Sequence, residues 1–308
     1  MQIRTDLALE AREMINERRS ERMKEENALP EGMDVNTKDT EYITITDISI
    51  SSDEAERVIG KKKGRYITIE LKNPELNTSE LQESAAKVLA SQIAPFISAL
   101  NKKEPEIMVA GLGNWHITAD SLGPKVIDKI VVTRHVKNLE NVEIDGRLGS
   151  VCAVSPGVMG ITGIETGEII RGMISTVKPD ILLVIDALAS RKASRVNATI
   201  QISDTGIIPG SGVGNHRMEL SKETLGIPVI AIGVPTVVDA VTLVRDILEN
   251  AGAKAGRDVL SDANAANMVV TPKNIDIAIE RMASVISSGI NIATHEGFEI
   301  DEISEYLM

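Results

Sequence analysis

Two carboxylates stand where an α/β sheet would collect its chemistry. In Ile107-Met-Val-Ala-Gly-Leu-Gly-Asn-Trp-His-Ile-Thr-Ala-Asp120, an acid follows an apolar run and a glycine-bearing loop, at the start of a helical pattern. In Pro179-Asp-Ile-Leu-Leu-Val-Ile-Asp186, an acid directly ends five consecutive apolar residues. An ionised carboxylate at the mouth of an apolar strand is costly unless it is paired, hydrogen-bonded or protonated. Each has a plain alternative, a helix N-cap for Asp120 and a loop anchor for Asp186, and taken singly the plain alternative is the commoner one. Their shared place at strand ends shifts the weight. If the two sit close together, repulsion splits their ionisation, leaving one protonated and one charged. Such a pair can take a proton from water as general base and give one to a leaving amine as general acid.

Other sites are absent or weak. The chain has no G-x-x-x-x-G-K-[ST], H-E-x-x-H, G-x-S-x-G or C-x-x-C. Gly111-Leu-Gly-Asn-Trp-His116 begins like a dinucleotide fingerprint, but His116 replaces the third glycine and the next strand lacks the ribose-binding acid. The glycine-rich stretch from Asp204 to Asn215 suits a loop that offers backbone amides, or a plain surface loop. His116 and His216 could join the two aspartates around a metal, but the four histidines show no close ligand spacing. Lys61 to Lys63 reads as an exposed turn.

Residues 7 to 28 spell an exposed, charge-laced helix. Tyr42-Ile-Thr-Ile-Thr46 and Tyr66-Ile-Thr-Ile-Glu-Leu71 alternate as paired antiparallel strands, and Thr78 or Ser79 caps a helix to about Leu100. Beyond Glu106, short apolar runs (107–110, 151–154, 181–185, 199–202, 229–232) alternate with helical patterns (121–134, 165–177, 236–250, 272–288). That rhythm predicts an α/β fold whose largely parallel sheet is flanked by helices, with an antiparallel insertion at 41–72. No linker separates two domains, so 7–308 is expected to be one unit. Ligands in such sheets gather at the carboxyl ends of the strands.

The 308 residues carry 45 Asp and Glu against 33 Lys and Arg, a net charge of −12. With only six aromatic residues and one short lysine run, neither a phosphate-binding footprint nor a base-stacking platform is expected. The lone Cys152 cannot form an internal disulfide, which fits a reducing cytoplasm. Apolar runs are too short to span a bilayer, and the charged N-terminus is unlike a secretory signal.

Taken together, Gly111-Leu-Gly-Asn114, Thr118-Ala-Asp120-Ser-Leu-Gly-Pro124, Ile185-Asp186-Ala-Leu-Ala-Ser-Arg191 and Asp204-Thr-Gly-Ile-Ile-Pro-Gly-Ser-Gly-Val-Gly-Asn215 closely resemble the germination protease family of spore-forming bacteria. The resemblance runs over essentially the whole chain. It implies an atypical aspartic endopeptidase that degrades small acid-soluble spore proteins at germination, with its catalytic aspartates at Asp120 and Asp186. Gly111, Gly113 and Asn114 would shape the edge of that site. The family also implies a homotetramer without a cofactor, in the cytoplasm of the forespore or spore core, with no direct nucleic-acid or membrane partner. Its fold is similar to that of the hydrogenase-maturation proteases, which carry comparable loops and aspartates but bind nickel. The rival readings are therefore a nickel-dependent maturation peptidase and a non-catalytic ligand-binding module.

The N-terminus supplies an internal check. The family is made as a zymogen, and its substrates are cut after an acidic residue and before a large apolar one, in a context similar to Thr-Glu, then Ile or Phe, then Ala-Ser-Glu. This chain has Thr5-Asp6 followed by Leu7-Ala8-Leu9-Glu10. Self-cleavage is expected between Asp6 and Leu7, releasing residues 1–6 as a propeptide. The plain alternative is an ordinary helix N-terminus capped by Thr5 or Asp6.

Overall fold

Alternate residues of the apolar runs bury on opposite faces of one sheet, and that alternation builds two core layers. The computed structural model describes residues 5–22, 29–74, 78–137, 146–210, 217–252, 268–295 and 297. Its strands are β1 (Met33–Asp39), β2 (Ile43–Ile50), β3 (Gly64–Leu71), β4 (Glu106–Gly111), β5 (Ser150–Val154), β6 (Ile181–Ser190), β7 (Thr199–Ser203), β8 (Val229–Asp239) and β9 (Val269–Val270). The longer helices are α1 (Ala8–Arg22), α2 (Asp53–Ile59), α3 (Ser79–Ser98), α4 (Leu122–Ile127), α7 (Thr166–Val177), α9 (Ala240–Asn250) and α10 (Ile275–Thr294). Single turns α5 (Arg134–Lys137), α6 (Met159–Thr162) and α8 (Lys222–Leu225) complete the set among the described residues.

The strands form one mixed sheet in the order β1-β2-β3-β7-β8-β6-β4-β5, with β9 beside β8. Strands β5, β4, β6 and β8 run parallel. The rest joins antiparallel: β7 pairs with both β8 and β3, and β2 pairs with β1 and β3. The apolar run at 199–202 thus belongs to the antiparallel half. From β4 the chain moves outward to β5 and then crosses back to β6, so the strand order reverses at β4 and β6. Their carboxyl ends form the crevice in which open α/β sheets hold ligands.

On one face, Ile107, Val109, Ile181, Leu183 and Ile185 pack with α3 (Leu89, Ile93), α4 (Leu122, Val126) and α10 (Met282, Ile286). On the other, Met108, Ala110, Leu182 and Val184 meet Ile170 and Ile174 of α7. Each fully buried aliphatic side chain contributes about 1.5–3 kcal/mol. Thr78 caps α3, its hydroxyl accepting from the Leu81 N–H.

Several elements depart from the sequence reading. The first helix is not an exposed one: Ala8, Leu9 and Ala11 pack against Met33, Ile48, Ile50 and Tyr66, and residues 23–28 lie outside the described part. The helix expected over 121–134 stops at Ile127. Strand β8 runs on through Pro235 to Asp239, where a helix had been expected from residue 236. Its register against β6 slips between Leu188 and Ala189, a bulge of the kind that tolerates proline and re-aims neighbouring groups. Among the described residues no helix is long and apolar enough to cross a membrane.

Candidate active site

The β4–α4 connection explains why its glycines stand where they do. A Cβ on Gly111 would lie 2.2 Å from the Gly123 carbonyl oxygen, and one on Gly123 would lie 2.2 Å from that of Leu112. The strand end and the start of α4 therefore touch backbone to backbone. Gly113 has φ of +114°, and its Cβ would stand 2.0 Å from the Asp120 carbonyl oxygen. That close approach lets the Asn114 N–H reach both the Asp120 carbonyl (3.0 Å) and its Oδ2 (2.9 Å). The Asn114 side chain braces the same loop, Oδ1 accepting from the His116 N–H at 3.0 Å. Asp120 closes a 3₁₀ turn over Thr118–Asp120, which holds its carboxylate inward.

Asp186 arrives from β6. It does not end the strand, which continues to Ser190. It is the first residue past the end of β4, whose Gly111 pairs with Ile185, so its side chain faces the crevice where the neighbouring strand stops. Asp186 is 6% exposed, and its Oδ1 accepts from the Ala187 N–H at 2.9 Å.

The two acids line one cavity of about 290 Å³, together with Leu112, Gly113, Arg217, Thr236 and, from the N-terminus, Asp6. Their environments differ. Burial pushes Asp186 well above the ordinary aspartate range; the charge of Asp120 adds to this, and that of Asp6 adds further, against the lowering effect of the Ala187 N–H. Burial raises Asp120 as well, and the Asn114 N–H and the Arg217 charge offset only part of that rise. The arrangement is a coupled pair in which Asp186 is the better proton holder and Asp120 the better base.

The N-terminal segment threads into the same place. The Asp6 N–H donates to the Ala189 carbonyl (3.0 Å), and the Asp6 Oδ2 accepts from the Ala189 N–H (2.9 Å). Leu7 is wholly buried. Glu10, also fully buried, accepts from the main-chain N–H groups of Arg191 (2.6 Å) and Lys192 (3.0 Å) and pairs with Arg195 at 3.3 Å. The predicted residues Asp6, Gly113, Asp120 and Asp186 thus share one cavity, while Gly111 and Asn114 support it from outside.

Sequence reasoning missed three participants. Gln201 is an amide inside the apolar strand Thr199-Ile-Gln-Ile-Ser203, and a polar group in such a run is itself the signal. Lys61 turns inward beneath Asp6, whereas Lys62 and Lys63 pair with Glu219 and Asp53 on the surface; nothing in three consecutive lysines tells them apart. Arg217 follows the glycine-rich stretch and shows no pattern of its own. His116 lies on the exposed loop, and His216 falls outside the described residues. Among the described residues no three His, Cys, Asp or Glu side chains converge as metal ligands do.

The germination protease family profile matches residues 8–266, which span both aspartates. The germination protease of Clostridium acetobutylicum is 46% identical to this chain over 99% of each. That of Clostridium tetani is 42% identical over the whole of both, and that of Halalkalibacterium halodurans 39% identical over 99% of this chain and 96% of its own. Among solved structures, a [NiFe] hydrogenase maturation protease, HycI from Thermococcus kodakarensis KOD1, covers 63% of this chain and 98% of itself at 19% identity and a TM-score of 0.31, a likeness too slight to carry any assignment. On the family profile and these full-length matches, the chain belongs to the germination protease family and is a peptidase of spore germination.

Proposed function

We propose that the chain is an aspartic endopeptidase that degrades small acid-soluble spore proteins, using Asp120 and Asp186 without a metal. The carrying observation is that the two acids, Asp120 from the β4–α4 connection and Asp186 from β6, line one cavity in which burial raises both and Asp186 the more strongly, making Asp186 the better holder of the shared proton. Asp120 takes a proton from water as the water oxygen bonds to the scissile carbonyl carbon and the carbonyl π pair moves onto its oxygen. As the C–N bond breaks and the carbonyl re-forms, Asp186 gives its proton to the departing nitrogen. One proton passes between the two acids to reset the pair. Gly111, Gly113 and Asn114 hold Asp120 in register for this.

In the same reading the protein is a zymogen that cuts its own Asp6–Leu7 bond, releasing residues 1–6. Asp6 lines the cavity that holds the aspartates and the leucine after it is wholly buried, which supports this. The homotetramer and the forespore cytoplasm come to this chain from the resemblance to its family. The test is to incubate the purified chain with a peptide containing Thr-Glu-Ile-Ala-Ser-Glu, with and without chelator, and to weigh the products. Cleavage after the first glutamate, unaffected by chelator, is expected. Loss of cleavage with chelator, restored by a divalent metal, would turn the reading toward a metallopeptidase, and no cleavage at all would count against peptidase action on this sequence.

A further inference from the structure

The bond expected to be cut is gripped on both sides by groups that the two-aspartate mechanism does not use. The carbonyl oxygen of Asp6 accepts from the Lys61 Nζ at 2.8 Å and from the Gln201 Nε2 at 3.1 Å. The other end of the same amide, Gln201 Oε1, accepts from the Ala8 N–H at 2.7 Å. Gln201 thus bridges from the carbonyl before the bond to the N–H of the second residue after it. Ala189 holds the Asp6 main-chain N–H and carboxylate with its own C=O and N–H, beside the β6–β8 bulge.

Two donors converging on one carbonyl, one of them cationic and set among buried groups, are what a developing oxyanion requires. An anchor needs only to hold the segment, and Ala189 already does that through the Asp6 N–H and carboxylate. Removal of residues 1–6 would leave Lys61, Gln201 Nε2 and both main-chain groups of Ala189 facing the cavity of Asp120 and Asp186. Their chemistry matches an acidic residue: a donor for the carboxylate, an acceptor for its N–H, and two donors for its carbonyl.

We propose that Lys61 and Gln201 polarise the carbonyl of the cut bond and, with Ala189, form the seat for the acidic residue before it, occupied first by Asp6 and then by the acidic residue of a substrate. This rests on the reading of the chain as an aspartic peptidase. Water addition places the electron pair on the carbonyl oxygen between Lys61 Nζ and Gln201 Nε2. Burial lowers the Lys61 pKa, and the charges of Asp6 and Glu10 offset part of that shift.

The full-length chain and its Lys61→Met, Lys61→Arg, Gln201→Leu and Asp186→Asn variants decide the matter. Self-cleavage is followed by mass, and the chains that mature are then assayed on the Thr-Glu-Ile-Ala-Ser-Glu peptide. Lys61→Met and Gln201→Leu are expected to slow self-cleavage by roughly 10²-fold, the cost of one oxyanion donor, with unchanged melting temperature. Their matured forms are expected to show a similar fall in kcat on the peptide, and Lys61→Arg, which keeps a cationic donor, to recover part of it. Free Met-Gln-Ile-Arg-Thr-Asp is expected to inhibit the wild type competitively and Lys61→Met more weakly.

Matured variants with wild-type kcat would reduce Lys61 and Gln201 to anchors of the leader and overturn the proposal, as would a hexapeptide that does not inhibit or a Lys61→Arg no better than Lys61→Met. If Lys61→Met fails to fold, Lys61→Arg and Gln201→Leu carry the same comparison. Cleavage by Asp186→Asn at the wild-type rate would instead sink the underlying aspartate reading.

Discussion

Gly113→Ala puts the loop geometry to a sharp test, because the perturbation can be sized from the structure. The new Cβ would lie 2.0 Å from the Asp120 carbonyl oxygen, where real Cβ atoms stay at least 3.0 Å away, so loop and aspartate must separate by at least 1.0 Å. The backbone at +114° adds strain of about 1–3 kcal/mol for a residue with a side chain. Because the Asn114 N–H holds the Asp120 carbonyl oxygen and its carboxylate Oδ2, the displacement passes directly to the carboxylate. A misplacement of about 1 Å costs on the order of 10²-fold in rate. The assay is steady-state cleavage of the Thr-Glu-Ile-Ala-Ser-Glu peptide, with a thermal melt alongside. The expected result is a kcat lower by roughly 10²-fold with a folded protein melting a few degrees lower. A folded Gly113→Ala with wild-type kcat would show that the loop does not position Asp120.

Three further outcomes follow from the charges. Since burial raises Asp186 above its unfolded-state value, it destabilises the fold at any pH where the unfolded chain is ionised; Asp186→Asn is expected to melt higher than wild type at pH 7, the gain vanishing below about pH 4, as thermal melts across pH would show. Glu10→Ala leaves the buried Arg191 and Lys192 main-chain N–H groups without their acceptor, while Arg195 keeps Glu13 and Glu70, and is expected to cost about 1–3 kcal/mol for each N–H in denaturant unfolding. Burial tends to raise Glu13, but hydrogen bonds and charges from Arg195 and Lys192 outweigh it and bring its pKa down from 4.5 to about 2. Its stabilising contribution is then full above about pH 4.5 and lost as pH falls through about 2, so Glu13→Gln and wild type should converge in stability over that window.

How much of this was legible in the sequence depended on whether local pattern or distant pairing decided the outcome. The apolar runs ending near Gly111 and at Asp186 announced buried parallel strands, and two acids at their carboxyl ends marked the crevice. Strand direction was another matter. Thr199–Ser203 is as fully buried as its parallel neighbours, yet it runs antiparallel because it bridges β3 and β8, a choice no local pattern records. Strand β1, Met-Asp-Val-Asn-Thr-Lys-Asp, is a mostly exposed edge and lacks the alternation that revealed β2 and β3. Pro235 disguised the second half of β8. In the site, the chemistry-bearing aspartates were visible because acids are anomalous beside apolar strands. The inward turn of Lys61 and the burial of Glu10 were invisible, since charged residues in a charged stretch look solvated until the N-terminal segment is seen threading past β6.

The central claim is that Asp120 and Asp186 together perform the hydrolysis, and the most direct measurement compares Asp120→Asn, Asp186→Asn and wild type for cleavage of the same peptide, each chain shown to be folded by its melt. Either substitution is expected to lower the rate by roughly 10²–10⁴-fold and to leave the chain's own Asp6–Leu7 bond intact. A folded Asp120→Asn or Asp186→Asn that cuts the peptide at the wild-type rate would contradict it.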